Sequence, residues 1–213
     1  MMRYHIIREI GKGTTSQVYQ AEDEEGNIFA LKVYSTSSRE TDWSGKEETR
    51  LLKQLHHPNI LPIIDYISSP KPTIVMEYIE GDSLEERLHK GGPLHSRDAL
   101  SLLKTISEAM LYAHQKGIFH GDLSPKNILL KKNDPSQPVI CDFGLSQKGT
   151  KEGDISALLK IFTLAGGPNP YPIKTANPTL ASLIRDCKAG LSETPYISSP
   201  KNKKRLFGFF GKS

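Results

Sequence analysis

The sequence predicts an α+β fold in two parts, a strand-rich first third followed by a mainly helical remainder. Residues 1–77 contain five short segments with strand character, and one amphipathic helix is predicted after the third of them. Beyond residue 82 the apolar residues recur instead at helical spacing. The chain has 213 residues, of which 37% are hydrophobic and 24% charged, as is typical of a folded protein with one or two cored domains.

The first two strands flank a glycine-rich turn. Residues 10–19, with the sequence IGKGTTSQVY, predict a strand, a turn and a second strand. Because Gly11 and Gly13 lack side chains, backbone N–H groups can approach a phosphate closely there, although such a turn alone is weak evidence. A polar hairpin turn at 22–27 leads to the third strand, in which Lys32 interrupts a short apolar run.

The helix of the first part is predicted at about residues 41–56. Leucines at 51, 52 and 55 form its apolar face, and it ends before Pro58. Residues 73–79 then predict a buried strand that runs into a polar linker at 80–83.

In the second part, the longest helix is predicted at residues 96–116. Ser96 is a suitable N-cap, and Gly117 is a suitable stop at the other end. The apolar face recurs at steps of four, three, four and three residues and consists of Ala99, Leu103, Ile106, Met110 and Ala113.

Shorter elements complete the pattern. Residues 128–130 and 139–141 predict two short strands around a polar turn. A turn-rich linker at 166–172 leads to a last helix at about 179–188, with an apolar face made by Leu180, Leu183, Ile184 and Cys187.

Two motifs concentrate the residues with chemical function. The run 120–127, HGDLSPKN, contains Asp122 and Asn127, and Asp142-Phe143-Gly144 follows fifteen residues after that Asn. The first Asp can orient a substrate hydroxyl, whereas the Asn and the second Asp are suitable ligands for Mg²⁺. Each motif alone is weak evidence, because such residues are common on polar turns. The two together at this spacing indicate phosphoryl transfer.

The motifs resemble those of the protein kinase family, and the resemblance covers about residues 4–190. It implies a two-lobed fold, with an antiparallel β-sheet and one helix in the N-lobe and a reduced, mainly helical C-lobe. It also implies that ATP and Mg²⁺ bind between the lobes. The expected boundaries are a kinase domain at 1–200, with N-lobe 1–77, hinge 78–81 and reduced C-lobe 82–190, and a basic aromatic tail at 201–213.

The resemblance assigns roles around the phosphates. Lys32 follows the glycine-rich turn, as the phosphate-binding Lys of the family does, and a helix Glu is expected to hold it. Counted back from His57-Pro58-Asn59-Ile60, this Glu is Glu48 rather than Glu47. Asp122 would be the catalytic residue that orients the acceptor.

The same resemblance implies the metal ligands and the adenine site. Asn127 and Asp142 would ligate Mg²⁺. Met76 would be the gatekeeper, and the backbone of Glu77 and Ile79 would hydrogen-bond adenine. The expected ATP-binding residues are Ile10, Gly11, Gly13, Val18, Ala30, Lys32, Glu77, Ile79 and Leu129. His120 and Asp154 are expected to be structural.

The catalytic loop departs from the family pattern at two positions. Gly121 stands where many kinases have the Arg that receives a phosphorylated activation loop, so control by that route is not expected. Ser124 stands where serine/threonine kinases usually carry a Lys near the γ-phosphate, and the lost positive charge weighs against catalysis. Lys126 could replace that charge, although the family pattern does not provide for it.

The activation segment is shortened as well. Only nine residues, 145–153, separate the Asp-Phe-Gly motif from Asp154, and no Ala-Pro-Glu motif follows. The platform that holds a peptide substrate is therefore expected to be missing.

Three functions are compatible with these residues. The preferred hypothesis is a Mg-ATP-dependent serine/threonine protein kinase that phosphorylates protein hydroxyls. A small-molecule phosphotransferase of related fold is favoured by the His-Gly-Asp start of the catalytic loop and by the missing platform. A pseudokinase or ATP-binding scaffold is favoured by Ser124 and by Ser16, which occupies the third glycine position of the turn. Retention of the polar residues named above argues against the scaffold.

Composition bears on location and partners. The two cysteines cannot form a disulfide framework, no apolar stretch approaches membrane-spanning length and no signal peptide is evident, so a cytoplasmic location is expected. Residues 201–213 carry five basic side chains, no acidic one and three phenylalanines. This tail predicts peripheral binding to an anionic membrane surface, or alternatively a solubilising or packing segment. Another protein, or dimerisation, is expected to order Glu48, and nucleic-acid binding is not expected.

Overall fold

One antiparallel sheet of five strands forms the N-terminal lobe. The computed structural model describes residues 4–35, 46–47, 49–143, 149–167 and 179–193. The strands are β1 (His5–Lys12), β2 (Ser16–Glu22), β3 (Ile28–Tyr34), β4 (Ile63–Ile67) and β5 (Thr73–Glu77). Their order across the sheet is β1-β2-β3-β5-β4. The prediction of five strands in residues 1–77 is confirmed.

The hairpin between β2 and β3 sets the register of the sheet. Asp23, directly after β2, is buried, and its carboxylate accepts hydrogen bonds from two backbone N–H groups of the turn. Gly26 has a φ of +86°, which glycine adopts without steric cost. The turn thereby holds β3 so that Lys32 lies opposite Val18 on one side and Ile74 on the other.

A short helix lies between β3 and β4 along the chain. Residues 46–47 and 49–52 are helical, and Leu52 and Leu55 are buried, as the apolar pattern predicts. The helix ends before the predicted residue 56, because Leu55 N–H donates to Leu52 O, only three residues back, and tightens the chain into a turn. The predicted first turn at 41–45 lies outside the described residues.

Four helices and a two-stranded sheet form the described part of the C-terminal lobe. The helices are α1 (Leu84–Gly91), α2 (Ser96–Gln115), α3 (Lys151–Leu164) and α4 (Leu180–Glu193). The strands are β6 (Ile128–Leu130) and β7 (Pro138–Ile140), which pair antiparallel. α4 continues five residues past its predicted end at 188. Over the described ranges, the structure contains no helix with the length and apolarity that a membrane crossing requires.

The core of this lobe surrounds α2. All five residues of the predicted apolar face of α2 are buried. Leu158 of α3 and Leu183 of α4 are completely buried against them. Complete burial of a side chain of this size contributes about 1.5–3 kcal/mol. Phe143 of the Asp-Phe-Gly motif belongs to the same core, so the motif is anchored in the C-terminal lobe.

Two helix starts differ from the prediction. α1 was not predicted, although Ser83 and Glu86 form a capping box: Ser83 Oγ accepts from Glu86 N–H at 3.2 Å, and the Glu86 carboxylate accepts from Ser83 N–H at 2.8 Å. The Ser-x-x-Glu spacing was the overlooked signal. The N-cap of α2 is His95, which is still extended, and Ser96 is already helical. Gly117, with a φ of +74°, confirms the predicted stop.

The connection between the lobes is hydrogen-bonded to β6 and to the turn after it. Leu130 N–H donates to Asp82 O at 2.9 Å, and Lys132 N–H donates to Glu80 O at 2.7 Å. Between these bonds, Gly81 has a φ of +145°, and a Cβ atom there would lie 1.9 Å from Leu130 O. Only glycine therefore allows this close approach of the two backbones.

Replacing Gly81 with Ala is expected to lower the free energy of unfolding by about 3 kcal/mol or more, because the new methyl group must displace the Leu130 carbonyl and the backbone is strained at positive φ. Chemical denaturation of both proteins measures the loss. Gly92→Ala is the matched control, since Gly92 also has a positive φ but its Cβ would meet nothing within 4 Å. Equal losses for the two variants would contradict the clash.

Candidate active site

A cleft of about 700 Å³ lies between the two lobes. The glycine-rich turn and β3 form its roof, β5 and the hinge its back, and β6 with the catalytic loop its floor. All nine residues predicted to bind ATP line it, namely Ile10, Gly11, Gly13, Val18, Ala30, Lys32, Glu77, Ile79 and Leu129. The predicted metal ligands Asn127 and Asp142 line the same cleft.

The inner end of the cleft is an apolar slot. Ala30 and Met76 pair across β3 and β5 and belong to one buried cluster, against which Val18 and Leu129 pack from opposite sides. Its edge is the backbone that follows β5. Glu77 N–H already donates to Pro62 O at 3.1 Å, so a ligand can contact the Glu77 backbone only through the carbonyl. A slot of this shape and polarity suits a flat heteroaromatic ring.

Lys32 reaches from β3 to the floor of the cleft and forms an ion pair with Asp142 Oδ1. The Lys32 side chain is 15% exposed and that of Asp142 48% exposed, so the pair lies at the boundary between the interior and the open cleft. Asp142 has a φ of +58°, an unusual backbone conformation for this residue type. Glu48, the predicted partner of Lys32, lies outside the described residues, and its role stays a prediction. Glu47 pairs with Arg50 instead.

The catalytic loop is anchored on one buried carboxylate. Asp154, in the first turn of α3, is 1% exposed and accepts hydrogen bonds from His114 Nε2 at 2.8 Å and from the backbone N–H groups of His120 and Gly121 at 2.9 Å each. Burial alone would raise the pKa of Asp154, but these hydrogen bonds outweigh it and hold the pKa below its ordinary value. Gly121 adopts a φ of +75° to present its N–H.

His120 connects this anchor to the Asp-Phe-Gly motif. Its ring is buried 4.8 Å from the ring of Phe143, centroid to centroid. Its Nδ1 accepts from Asp122 N–H at 3.3 Å, so Nε2 carries the proton and donates to Cys141 O at 3.1 Å. Burial lowers the pKa of His120, although the bond to Cys141 and nearby carboxylates act in the opposite direction. His120 and Asp154 are thus structural, as expected from the sequence.

Asn127 holds the far end of the loop. Its side chain is buried, its Nδ2 donates to Asp122 O at 2.8 Å, and its carbonyl accepts from Cys141 N–H at 3.0 Å. The Asp122 carboxylate, in contrast, is 71% exposed and faces solvent. Its Oδ2 lies 3.7 Å from Lys126 Nζ. The loop is therefore rigid at its backbone and open at the carboxylate.

The oxygens of this floor suit Mg²⁺. With Nδ2 engaged, Asn127 offers Oδ1, and Asp142 offers a carboxylate on the same wall of the cleft. Mg²⁺ prefers such oxygen ligands and is usually bound by one or two side chains plus phosphates and water. In the described part of the chain no cluster of three or more His, Cys, Asp or Glu side chains could hold a metal by itself. The residues present therefore fit a metal shared with a nucleotide.

His114 is the residue that sequence reasoning missed. It lies near the end of α2, buried on the same side as Met110, four residues earlier. Its ring also packs edge-on against Phe119, with centroids 5.1 Å apart. A His that continues an apolar helical face just before the catalytic loop was the available signal, but its partner Asp154 lies 40 residues further along the chain.

Comparisons with known proteins agree with this geometry. The family model of the protein kinase domain matches residues 4–164, and the chain belongs to this family. A protein of Lactococcus lactis subsp. lactis named "Probable serine/threonine-protein kinase PknB" is 31% identical over 188 residues, which is 85% of this chain and 30% of that protein. Myosin light chain kinase A of Dictyostelium discoideum is 36% identical over 149 residues, 68% of this chain and 50% of that protein. The chain spans no more than half the length of these relatives.

A solved structure shows the same fold. The crystal structure of Rad53 1-466 in complex with AMP-PNP superposes with a TM-score of 0.68 at 23% sequence identity, covering 90% of this chain and 57% of that chain. The two-lobed kinase-like fold predicted from the sequence is confirmed by this likeness and by the sheet and helices described above.

The buried His120 generates a pH dependence of stability. Because its pKa is lowered in the folded protein, the unfolded chain takes up a proton first as the pH falls through the ordinary value of 6.5. The neutral form of His120 therefore costs no stability above pH 6.5. Below pH 6.5 the free energy of unfolding decreases by up to about 1.4 kcal/mol per pH unit. Denaturation midpoints between pH 7.5 and 5.5 measure the slope.

His120→Phe retains a ring but cannot titrate, so its slope should be shallower, although the protein loses the bond to Cys141 and is less stable at pH 7.5. His57, whose pKa is also lowered by burial, leaves a residual slope of the same sign. His89→Gln, at an exposed position of α1, is the control. Identical slopes in the parent and His120→Phe would refute the assignment.

Proposed function

We propose that this protein is a Mg-ATP-dependent serine/threonine protein kinase. The observation that carries the proposal is that Lys32, Asp142 and Asn127 line one cleft, with Asp122 at its open end. The relatives described above are named "Probable serine/threonine-protein kinase PknB" and "Myosin light chain kinase A", which supports transfer to protein hydroxyls. ATP is the proposed phosphate donor and Mg²⁺ the proposed metal.

The residues that line the cleft would bind separate parts of ATP. The apolar slot would hold adenine, with the carbonyl of Glu77 and the N–H of Ile79 at its edge. The glycine-rich turn would cover the phosphates with backbone N–H groups, and Lys32 would position the α- and β-phosphates. Glu48 would hold Lys32. Because the lobes provide opposite walls, closing them would also exclude water from the reacting groups.

Transfer would take place at the open end of the cleft. Asp122, which is exposed yet fixed through its backbone, would orient the acceptor hydroxyl and accept its proton. Asn127 and Asp142 would ligate the metal through Oδ1 and the carboxylate. Mg²⁺, when bound, would neutralise charge on the β- and γ-phosphates. Asp142 would then exchange its ion pair with Lys32 for the metal.

One observation favours a second candidate, a small-molecule phosphotransferase of related fold. α3 begins at Lys151, only seven residues after Gly144, so the described part of the chain offers no platform for the residues that flank a peptide acceptor. Incubation with γ-labelled ATP and Mg²⁺, with and without a generic basic protein, separates the two. Label on protein supports the kinase, and label confined to small metabolites supports the second candidate.

The two aspartates are expected to fail in different ways when changed to Asn. Asp142→Asn should lose Mg²⁺-dependent ATP binding, because a metal ligand becomes neutral. Asp122→Asn should bind ATP like the parent but transfer phosphate about 10²-fold more slowly or worse, because only orientation and proton acceptance are lost. Calorimetric titration and radiolabel transfer measure the two steps. Normal transfer by both variants would disprove the catalytic assignment.

We also propose that the tail, which lies outside the described residues, attaches the protein to anionic membrane surfaces from the cytoplasmic side. Its five basic residues would each contribute on the order of 1 kcal/mol near such a surface, and its phenylalanines would add a less salt-sensitive part. The full chain should sediment with anionic vesicles at low salt, and a chain ending at Pro200 should not. Equal sedimentation would make the tail a solubilising or packing segment.

An activating protein partner that orders Glu48 is a separate proposal.

A further inference from the structure

Position 124 provides no charge to the cleft. Ser124 is extended, with φ −155° and ψ 166°, and its Oγ is buried without a hydrogen-bond partner among the described residues. Ser124 is not among the residues that line the cleft. The hydroxyl therefore cannot offset the negative charge of a phosphoryl group from where it lies.

Lys126, two positions further along the chain, provides the positive charge in the cleft that Ser124 does not. It lines the cleft, its side chain is 58% exposed, and its Nζ lies 3.7 Å from Asp122 Oδ2. Asp122 is the residue proposed to orient the acceptor hydroxyl. The acceptor oxygen bonds to the γ-phosphorus during transfer, so a Lys beside Asp122 also lies beside that phosphorus. Lys126 therefore lies next to the site of transfer.

The backbone that carries Lys126 is held on both sides. Pro125 opens a 3-10 turn that ends at Asn127, and Asn127 N–H donates to Ser124 O at 3.0 Å. The Asn127 side chain and carbonyl are bonded to Asp122 and Cys141. The Cα atom of Lys126 is thus fixed, whereas its ammonium group is free to follow a charge that develops in front of it.

Lys126 is one of four basic residues that line the cleft in the described part of the chain. The four are Arg8, Lys12, Lys32 and Lys126. Arg8 donates to Gln20 and to Tyr78 near the hinge, and Lys32 pairs with Asp142. Lys12 belongs to the end of β1, in the roof. Of these four, only Lys126 comes from the C-terminal lobe, on the side of Asp122.

We propose that Lys126 is a catalytic residue that contacts the γ-phosphate and stabilises its charge during transfer, which moves this cation from position 124 to position 126. The inference rests on the proposed kinase function. In the step, the acceptor oxygen bonds to the γ-phosphorus while the bond from that phosphorus to the β-bridging oxygen breaks, and ADP leaves. The hydroxyl proton passes to Asp122. Lys126 gains and loses no proton, and its charge opposes that of the transferring group.

The test compares Lys126→Ala, Lys126→Arg and the double variant Ser124→Lys/Lys126→Ala with the parent. Removing one charge partner of the transferring group should lower kcat by about 10²-fold, whereas the KM for the acceptor and the melting temperature should change little. Lys126→Arg should restore most of the activity. The double variant, which returns a Lys to position 124, should be at least about tenfold faster than Lys126→Ala. Lys104→Ala removes a half-buried Lys from another i,i+4 ion pair, with Glu108, and is the control.

A binding measurement separates this inference from the proposed function. Lys126→Ala should lose several-fold of the preference for a non-hydrolysable ATP analogue over ADP, measured by calorimetry with Mg²⁺, because only the former carries a γ-phosphoryl group. If the parent transfers no phosphate, the kinase proposal fails, and an unchanged preference would then overturn the role of Lys126 as well. If the parent is active and Lys126→Ala is equally active, only the role of Lys126 is overturned. The same holds if Lys126→Ala loses activity that neither Lys126→Arg nor the double variant Ser124→Lys/Lys126→Ala restores.

Discussion

The arrangement of the proposed catalytic residues depends on the buried carboxylate of Asp154. It accepts hydrogen bonds from a helix side chain, His114, and from two consecutive backbone N–H groups of the catalytic loop. A carboxylate buried this deeply is costly unless it is fully hydrogen-bonded, so α2, α3 and the loop are held to one relative arrangement. The loop then fixes Cys141 through His120 and Asn127, and Cys141 precedes Asp142. The buried carboxylate of Asp154 thus helps to fix the backbone from which the side chains of Asp122 and Asp142 extend.

The two lobes meet through contacts of different kinds. The hinge is fixed by backbone hydrogen bonds to β6 and the following turn, and Gly81 allows the closest approach. Across the open side, the lobes are joined by the ion pair of Lys32 with Asp142, which is partly exposed and therefore weaker than a buried pair. Fixed contacts at the hinge and an exchangeable ion pair at the open side are suited to the nucleotide-binding role proposed for this cleft.

The described part of the C-terminal lobe contains the residues that hold the catalytic loop. Leu158 and Leu183 bury α3 and α4 against α2, so the core is continuous over the described residues although the activation segment is short. Gly121 replaces a large basic side chain and adopts its positive φ without strain. Within the described part of the chain, hydrogen bonds with Asp154 and Cys141 and the bond from Asn127 to Asp122 hold the loop.

The sequence by itself determined the elements and the motifs. The five strands, the apolar face of α2 and the stop at Gly117 follow from local periodicity and from the conformational freedom of glycine, which neighbouring residues encode. The motifs predicted Lys32, Asp122, Asn127 and Asp142 as site residues, because the spacing of a motif is a property of the chain alone. Only the tertiary structure decided which side chains meet: Lys32 with Asp142, and His114 with Asp154, lie 110 and 40 residues apart. It also decided that the hydroxyl of Ser124 is buried and that Lys126 lines the cleft, since burial depends on packing between distant segments that no local pattern records.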